Sequence, residues 1–373
     1  MFSFFQSEPR VTGDPLPAIQ ETSMTKTRIF SALTPLATVI LAGGLIACSE
    51  SAPPPAATAS SLTSEPVLIT APEEQVLDKA QWSCPANGGT APKGRLIAER
   101  VDAADSTRDE PGLYEGPVWL NGALYFSDFT FADGFPSRIQ RLVDDSTMDT
   151  AVEDSGSNGL AVDADGFIIA ALHSTKSLTR FNLTTGERSN VAGIYQENAF
   201  NSPNDLTEAK DGSVYFTDPD FQRAAAPGGQ DKTRVYRVGA DGDVTVVDDT
   251  IANPNGIALS PNQDVLYVAG GGEGGFLRAY PMVDGVPGEG KNLVDNVRVP
   301  DGLAIDCLGN IYVTEHLAQQ ARVFSPEGEE LAIIKVDANI TNAAFGGPDR
   351  KTLYLTGAGS VWKLELDVAG FPY

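Results

Sequence analysis

Beyond residue 93 the chain alternates short apolar strands with turns rich in Gly, Asp and Asn, and one pattern returns six times. Each repeat opens with a polar residue followed by a small or apolar one. A short apolar strand, a turn and a second β-branched or aromatic strand come next. The repeats begin at Glu115 (EGPVWLNGALYFSD), Asn158 (NGLAVDADGFIIAAL), Asn204 (NDLTEAKDGSVYFTD), Asn255 (NGIALSPNQDVLYVA), Asp301 (DGLAIDCLGNIYVTE) and Asn342 (NAAFGGPDRKTLYLT). A third and a fourth strand follow in most repeats, as at 234–238 and 244–247 around Ala240-Asp241-Gly242. Four strands in roughly 45 residues make one propeller blade.

The pattern predicts an all-β fold, a six-bladed β-propeller of four-stranded blades spanning 93–373. Helical periodicity is missing from the repeats, which excludes an α-solenoid, and an open β-solenoid has shorter rungs and no reason to stop at six. The sixth repeat has three clear strands, the last near 361–366, whereas 95–101 reads as an orphan strand ahead of the first repeat. Pairing that N-terminal strand with the last blade would close the ring and leave no open edge.

In each blade the first strand lies beside the central channel, so its leading residue is expected to project toward the axis. The six leaders, Glu115, Asn158, Asn204, Asn255, Asp301 and Asn342, all carry side-chain oxygen. Converging oxygens without nitrogen or sulfur suit a hard divalent cation, Ca²⁺ first, with Mg²⁺, Mn²⁺ or Zn²⁺ as alternatives. Glu115, Asn204, Asn255 and Asp301 form the expected metal set. Asn158 and Asn342 are assigned to structure, to support of the ligands or to substrate contact. Taken singly, Asn-Gly and Asp-Gly are turn dipeptides; it is their recurrence in phase with the blades that points to a site. Antiparallel pairing brings the ends of the second strands to the same face, adding Asp128, His173, Asp218, Gly271, Glu315 and His316 around the mouth. His173 and His316 are candidate proton shuttles, weighed against rim histidines that only hydrogen-bond a neighbouring blade. The glycines within 270–275 lack the strand-to-helix setting and the lysine of a phosphate loop. Trp119 and Trp362 read as anchors between blades.

A net charge of −24 makes nucleic acid an unsuitable partner. Residues 29–47 are an apolar run behind Lys26 and Arg28, ending Leu45-Ile46-Ala47-Cys48. This reads as an export signal over 1–48, with Met24 as the expected start, and a transmembrane anchor as the alternative. Its end resembles the bacterial lipobox, which implies lipidation of Cys48 and an exported lipoprotein facing the periplasm or the cell exterior, held to the membrane only through that lipid. Residues 49–92, rich in Ala, Ser and Pro toward their start, read as a flexible tether. Cys84 and Cys307 are then the remaining thiols in an oxidising compartment, either bridged or separately buried.

Four motifs in order resemble the senescence-marker-protein/gluconolactonase family: Glu115-Gly-Pro-Val-Trp119; Asn201-Ser-Pro-Asn-Asp205 followed by Phe216-Thr-Asp-Pro219; Pro254-Asn-Gly256; and Pro300-Asp-Gly-Leu303. The second is similar to the bacterial gluconolactonase branch. The resemblance implies a divalent cation on Glu115, Asn204, Asn255 and Asp301, Asp301 as the acid–base residue, and hydrolysis of a small-molecule lactone or ester. The chain departs from the animal members in lacking an arginine beside Asn204, so their sugar specificity is not carried over. Two alternatives share the fold: a phosphotriesterase-like or aryl esterase activity at the same site, and a non-enzymatic propeller that binds partners on its rim around a structural ion.

Overall fold

Six small antiparallel sheets surround one axis in the computed structural model, which describes residues 84–371 apart from 87, 110 and 111. Each repeat forms one sheet, its strands running outward from the axis in chain order. Blade one comprises Leu113–Leu120, Ala123–Phe129, Ser137–Asp144 and Thr147–Val152. The innermost strands of the other blades are Ser157–Val162, Leu206–Glu208, Ile257–Leu259, Pro300–Ile305 and Ile340–Gly346. Each touches the innermost strand of the next blade, and the sixth touches the first, closing the ring.

The core is distributed. Six apolar clusters occupy the six seams between neighbouring blades. Blade two shows why the strands alternate. Leu160, Ile168, Ala170 and Leu172 pack toward blade one, while Ala161, Ile169 and Ala171 pack toward blade three. Inner strands are therefore buried on both faces and read as continuous apolar runs, whereas outer strands such as Val244–Asp248 face water. Trp119 stacks on Tyr354 across the seam between blades one and six, with ring centroids 5.8 Å apart, and Trp362 is buried between blades five and six.

Ring closure differs in detail from the expectation. The segment expected as one closing strand is two. Gly94–Ile97 adds to the outside of blade five, parallel to Glu330–Lys335, and only Glu99–Arg100 completes blade six, antiparallel to Val361–Glu365. Between them Ala98 is buried, its N–H bonded to the Lys335 carbonyl, so the chain turns at the seam. Ahead of this segment, Cys84 is bonded to Cys307, with Cα atoms 5.5 Å apart. Cys307 lies in the turn between the first two strands of blade five, where its N–H also bonds the Ala369 carbonyl. Both ends of the described chain thus meet on the face opposite the leaders.

Candidate active site at the mouth of the channel

Two backbone devices aim the leaders. The first is a β-bulge in the innermost strand, between Glu115 and Val118, Ser157 and Leu160, Pro300 and Leu303, and Ile340 and Asn342 in blades one, two, five and six. A bulge breaks the pairing and re-aims a side chain. In blades three and four the regular strand starts after the leader, whose N–H still bonds the second strand, Asn204 to Thr217 O and Asn255 to Ala269 O. The second device is the glycine after the leader. Gly159 N–H donates to the Asn204 carbonyl at 2.6 Å, and Gly256 N–H to the Asp301 carbonyl at 2.9 Å. A Cβ at either glycine would lie 2.3 Å from that carbonyl oxygen. These dipeptides therefore mark the close approach of adjacent blades around the axis.

Glu115, Asn158, Asn204, Asn255, Asp301 and His316 line one cavity of about 560 Å³ at the channel mouth. All but His316 are buried. The Asn255 side chain donates to Asp301, and His316 Nδ1 lies 3.5 Å from Asp301 Oδ2 and 2.8 Å from the Ile340 carbonyl. That carbonyl can only accept, so Nδ1 carries the proton in the neutral ring and Nε2 is the free lone pair. Asn342 lies beneath, its Nδ2 bonded to Glu115 Oε2 at 3.2 Å and to Asp205 Oδ2 at 3.3 Å.

Asp205 was not singled out by the sequence reading, although a signal was present. Leaders one, two, four and five are followed by Gly and leader six by Ala, but Asn204 is followed by an acid. Its carboxylate borders a small void in the channel among Gly116, Leu160, Ile257 and Leu303. Three buried acids, Glu115, Asp205 and Asp301, thus share the axis. Burial, then the charges of Asp301 and Asp205, push Glu115 well above the ordinary carboxylate range. Burial pushes Asp205 up to about 7, with Asp301 adding to it. Burial likewise raises Asp301, against the hydrogen bond and charge of His316. In turn His316, which burial alone would lower, is raised by Asp301 and the Ile340 carbonyl.

No lysine or arginine side chain pairs with Glu115, Asp205 or Asp301 among the described residues. Clustered acids ionise together only where positive charge is supplied. An oxygen-rich set with this deficit fits a hard cation. Among the described residues no three His, Cys, Asp or Glu side chains form a metal-holding group by themselves, so an ion here would depend on the amide oxygens of Asn204 and Asn255.

Asp218 and His173 do not line the cavity. The Asp218 carboxylate accepts the N–H groups of Asn201 and Ser202, each at 2.9 Å, and Lys176 Nζ holds the Asn201 carbonyl at 2.6 Å. These bonds lock the loop that presents Asn204. His173 is fully buried, and its Nε2–H donates to the Phe135 carbonyl at 2.7 Å. Burial lowers its pKa, so it is a neutral clamp on a wall loop, without the solvent access a shuttle needs. Asp128 is buried under Arg108 and Arg138. Sequence reading also missed the aromatic wall of Phe129, Phe131, Phe135 and Phe221, because three of these lie in loops outside the repeat pattern.

The sequence profile of the SMP-30/Gluconolactonase/LRE-like region matches residues 113–359. The chain belongs to this family. Among curated members, a gluconolactonase of Zymomonas mobilis is 28% identical over 328 residues, covering 76% of this chain and 89% of that protein. A pentonolactonase of Haloferax volcanii is 26% identical, covering 66% and 82%. A solved gluconolactonase structure from Xanthomonas campestris superposes with a TM-score of 0.63 at 26% identity, covering 76% of this chain and all of that one.

Proposed function

We propose that this SMP-30/gluconolactonase/LRE-like protein is a metal-dependent lactone hydrolase acting at the channel mouth. The observation that carries the reading is the convergence of Glu115, Asn204, Asn255 and Asp301 on one cavity, in a chain whose curated relatives include a gluconolactonase and a pentonolactonase. Those four side chains would hold the cation, and Ca²⁺ suits their all-oxygen chemistry. When bound, the ion supplies Lewis-acid polarisation of the lactone carbonyl.

The chain's own residues do the rest. Asp301, with His316 beside it, orients a water and takes its proton as the water oxygen bonds to the carbonyl carbon. The ring C–O bond then breaks, and the proton passes to the departing ring oxygen, giving a hydroxy acid. Asn342 keeps Glu115 and Asp205 in place from below. Ordered carboxylates and amides around the reacting ester spare the cost of reorganising solvent during the step.

Chelated protein is expected to lose lactonase activity and regain it with Ca²⁺. Asp301→Asn is expected to lower kcat by about 10²–10⁴-fold. Full activity after metal removal, confirmed by elemental analysis, would overturn the metal assignment. Preference for a phosphotriester or an aryl acetate over every lactone would redirect the reading to those esters.

We also propose export and lipidation at Cys48, on the strength of the residues preceding it. The expected signal 1–48 and most of the tether lie outside the described residues. A Cys48→Ala protein should fail to incorporate labelled fatty acid and should keep its uncleaved signal, whereas equal labelling of the variant would overturn lipidation at Cys48.

A further inference from the structure

Resting on the lactonase reading, we propose that the substrate is an uncharged lactone bearing an apolar alkyl or aryl substituent, and not a polyhydroxylated or anionic sugar lactone. The cavity has two chemistries. Its floor is the oxygen set, and beside the floor stand Leu113, Phe129, Phe131, Phe135, Phe221 and Val299. Phe131 is 65% exposed and Phe221 46% exposed, and both line this one cavity, so they form a shared apolar patch and not scattered surface side chains. Phe131 meets Phe129 edge to face, with centroids 5.9 Å apart.

The backbone of this wall is held against strain. Phe135 has φ 51° and Val299 φ 46°. For a bulky or β-branched residue the left-handed region is a genuine outlier, and such outliers cluster at functional sites. Each is pinned. His173 donates to the Phe135 carbonyl, and its ring packs edge-on to Phe129 and Phe135. Val299 N–H bonds the Gly272 carbonyl, and His316 N–H bonds the Val299 carbonyl. His173 is thus a positioning residue for the wall.

The polar groups argue the same way. Among the described residues no lysine or arginine lines the cavity, so beyond the one cation a phosphate, sulfonate or second carboxylate would meet acids and no side-chain countercharge. Several amides are already committed: Asn255 to Asp301, Asn158 Nδ2 to Gln222 Oε1, and Asn253 Oδ1 to the Asp220 N–H. Asn158 Oδ1 is buried without a partner among the described residues; an amide oxygen accepts one or two donors, too few for the ring of hydroxyls on a sugar. A polyol reaching beyond the floor would set hydroxyls against the phenylalanine wall, where they find no partner.

The test compares γ-butyrolactone, γ-nonalactone and δ-gluconolactone as substrates of Ca²⁺-loaded protein, with the matching lactams, 2-pyrrolidinone and its 5-pentyl derivative, as non-hydrolysable ligands in calorimetry. The expected result is a kcat/KM rising about three- to fourfold per buried methylene, tighter binding of the pentyl lactam than of the plain one, and a Phe131→Ala/Phe221→Ala protein in which both preferences fall at least fivefold. Equal binding of the two lactams, or δ-gluconolactone preferred tenfold over γ-nonalactone, would overturn the proposal while leaving a lactonase. Tight binding of the pentyl lactam with no lactone hydrolysed would support the apolar site and overturn the lactonase reading. His173→Gln, which can still donate to the Phe135 carbonyl, should keep the preference, and His173→Leu should reduce it; a preference unchanged in both removes His173 from the wall's support.

Discussion

Single residues on this ring are assigned by what they touch. His173 and His316 look alike in sequence, each at the end of a second strand, yet His316 faces the cavity and His173 is sealed behind the wall. Burial holds the folded pKa of His173 below its ordinary value. The unfolded chain therefore binds more protons as pH falls below about 6.5. The stability from neutral His173 is complete above that pH and is lost as pH falls toward the depressed folded value. Denaturant midpoints from pH 7.5 to 5 should fall more steeply for wild type than for His173→Gln, with parallel curves above pH 7. Parallel curves throughout would show that His173 is not kept neutral by the fold.

At the level of elements, the loop 201–205 presents Asn204 on a frame set by Asp218 and Lys176. Supports of this kind commonly affect metal affinity by 10–100-fold. Asp218→Ala should therefore weaken Ca²⁺ binding by at least tenfold in calorimetry while far-UV circular dichroism stays that of the folded ring. Unchanged affinity would mean that Asn204 contributes little to holding the ion. The same element shows the reach and limit of sequence reading. The motif Asn201-Ser-Pro-Asn-Asp205 pointed to Asn204, but Asp218 looked like a rim acid because strand pairing sets its height and not the direction of its carboxylate.

The ring as a whole depends on closure. Glu99–Arg100 supplies the last strand of blade six, and the Cys84–Cys307 bond ties the preceding segment to blade five across 223 residues. Losing a bridge that closes so long a loop typically costs about 2–5 kcal/mol. Cys84→Ser should lower the unfolding free energy by that order in chemical denaturation, with kcat retained, since the bridge sits opposite the cavity. A variant as stable as wild type would leave closure to the strands and seams alone.

What the sequence determined by itself is whatever repeats. Six phased copies made the blades, their strand order and the six axial leaders legible, because burial on both faces of an inner strand leaves a period that any copy reveals. Tertiary structure alone decided what lies off that period: the two-part closing strand, Asp205 in a glycine position, the inward-facing histidine at one blade and the buried one at another, and the phenylalanine wall. Those features arise from contacts between loops and blades distant in the chain, whose partners no local pattern encodes.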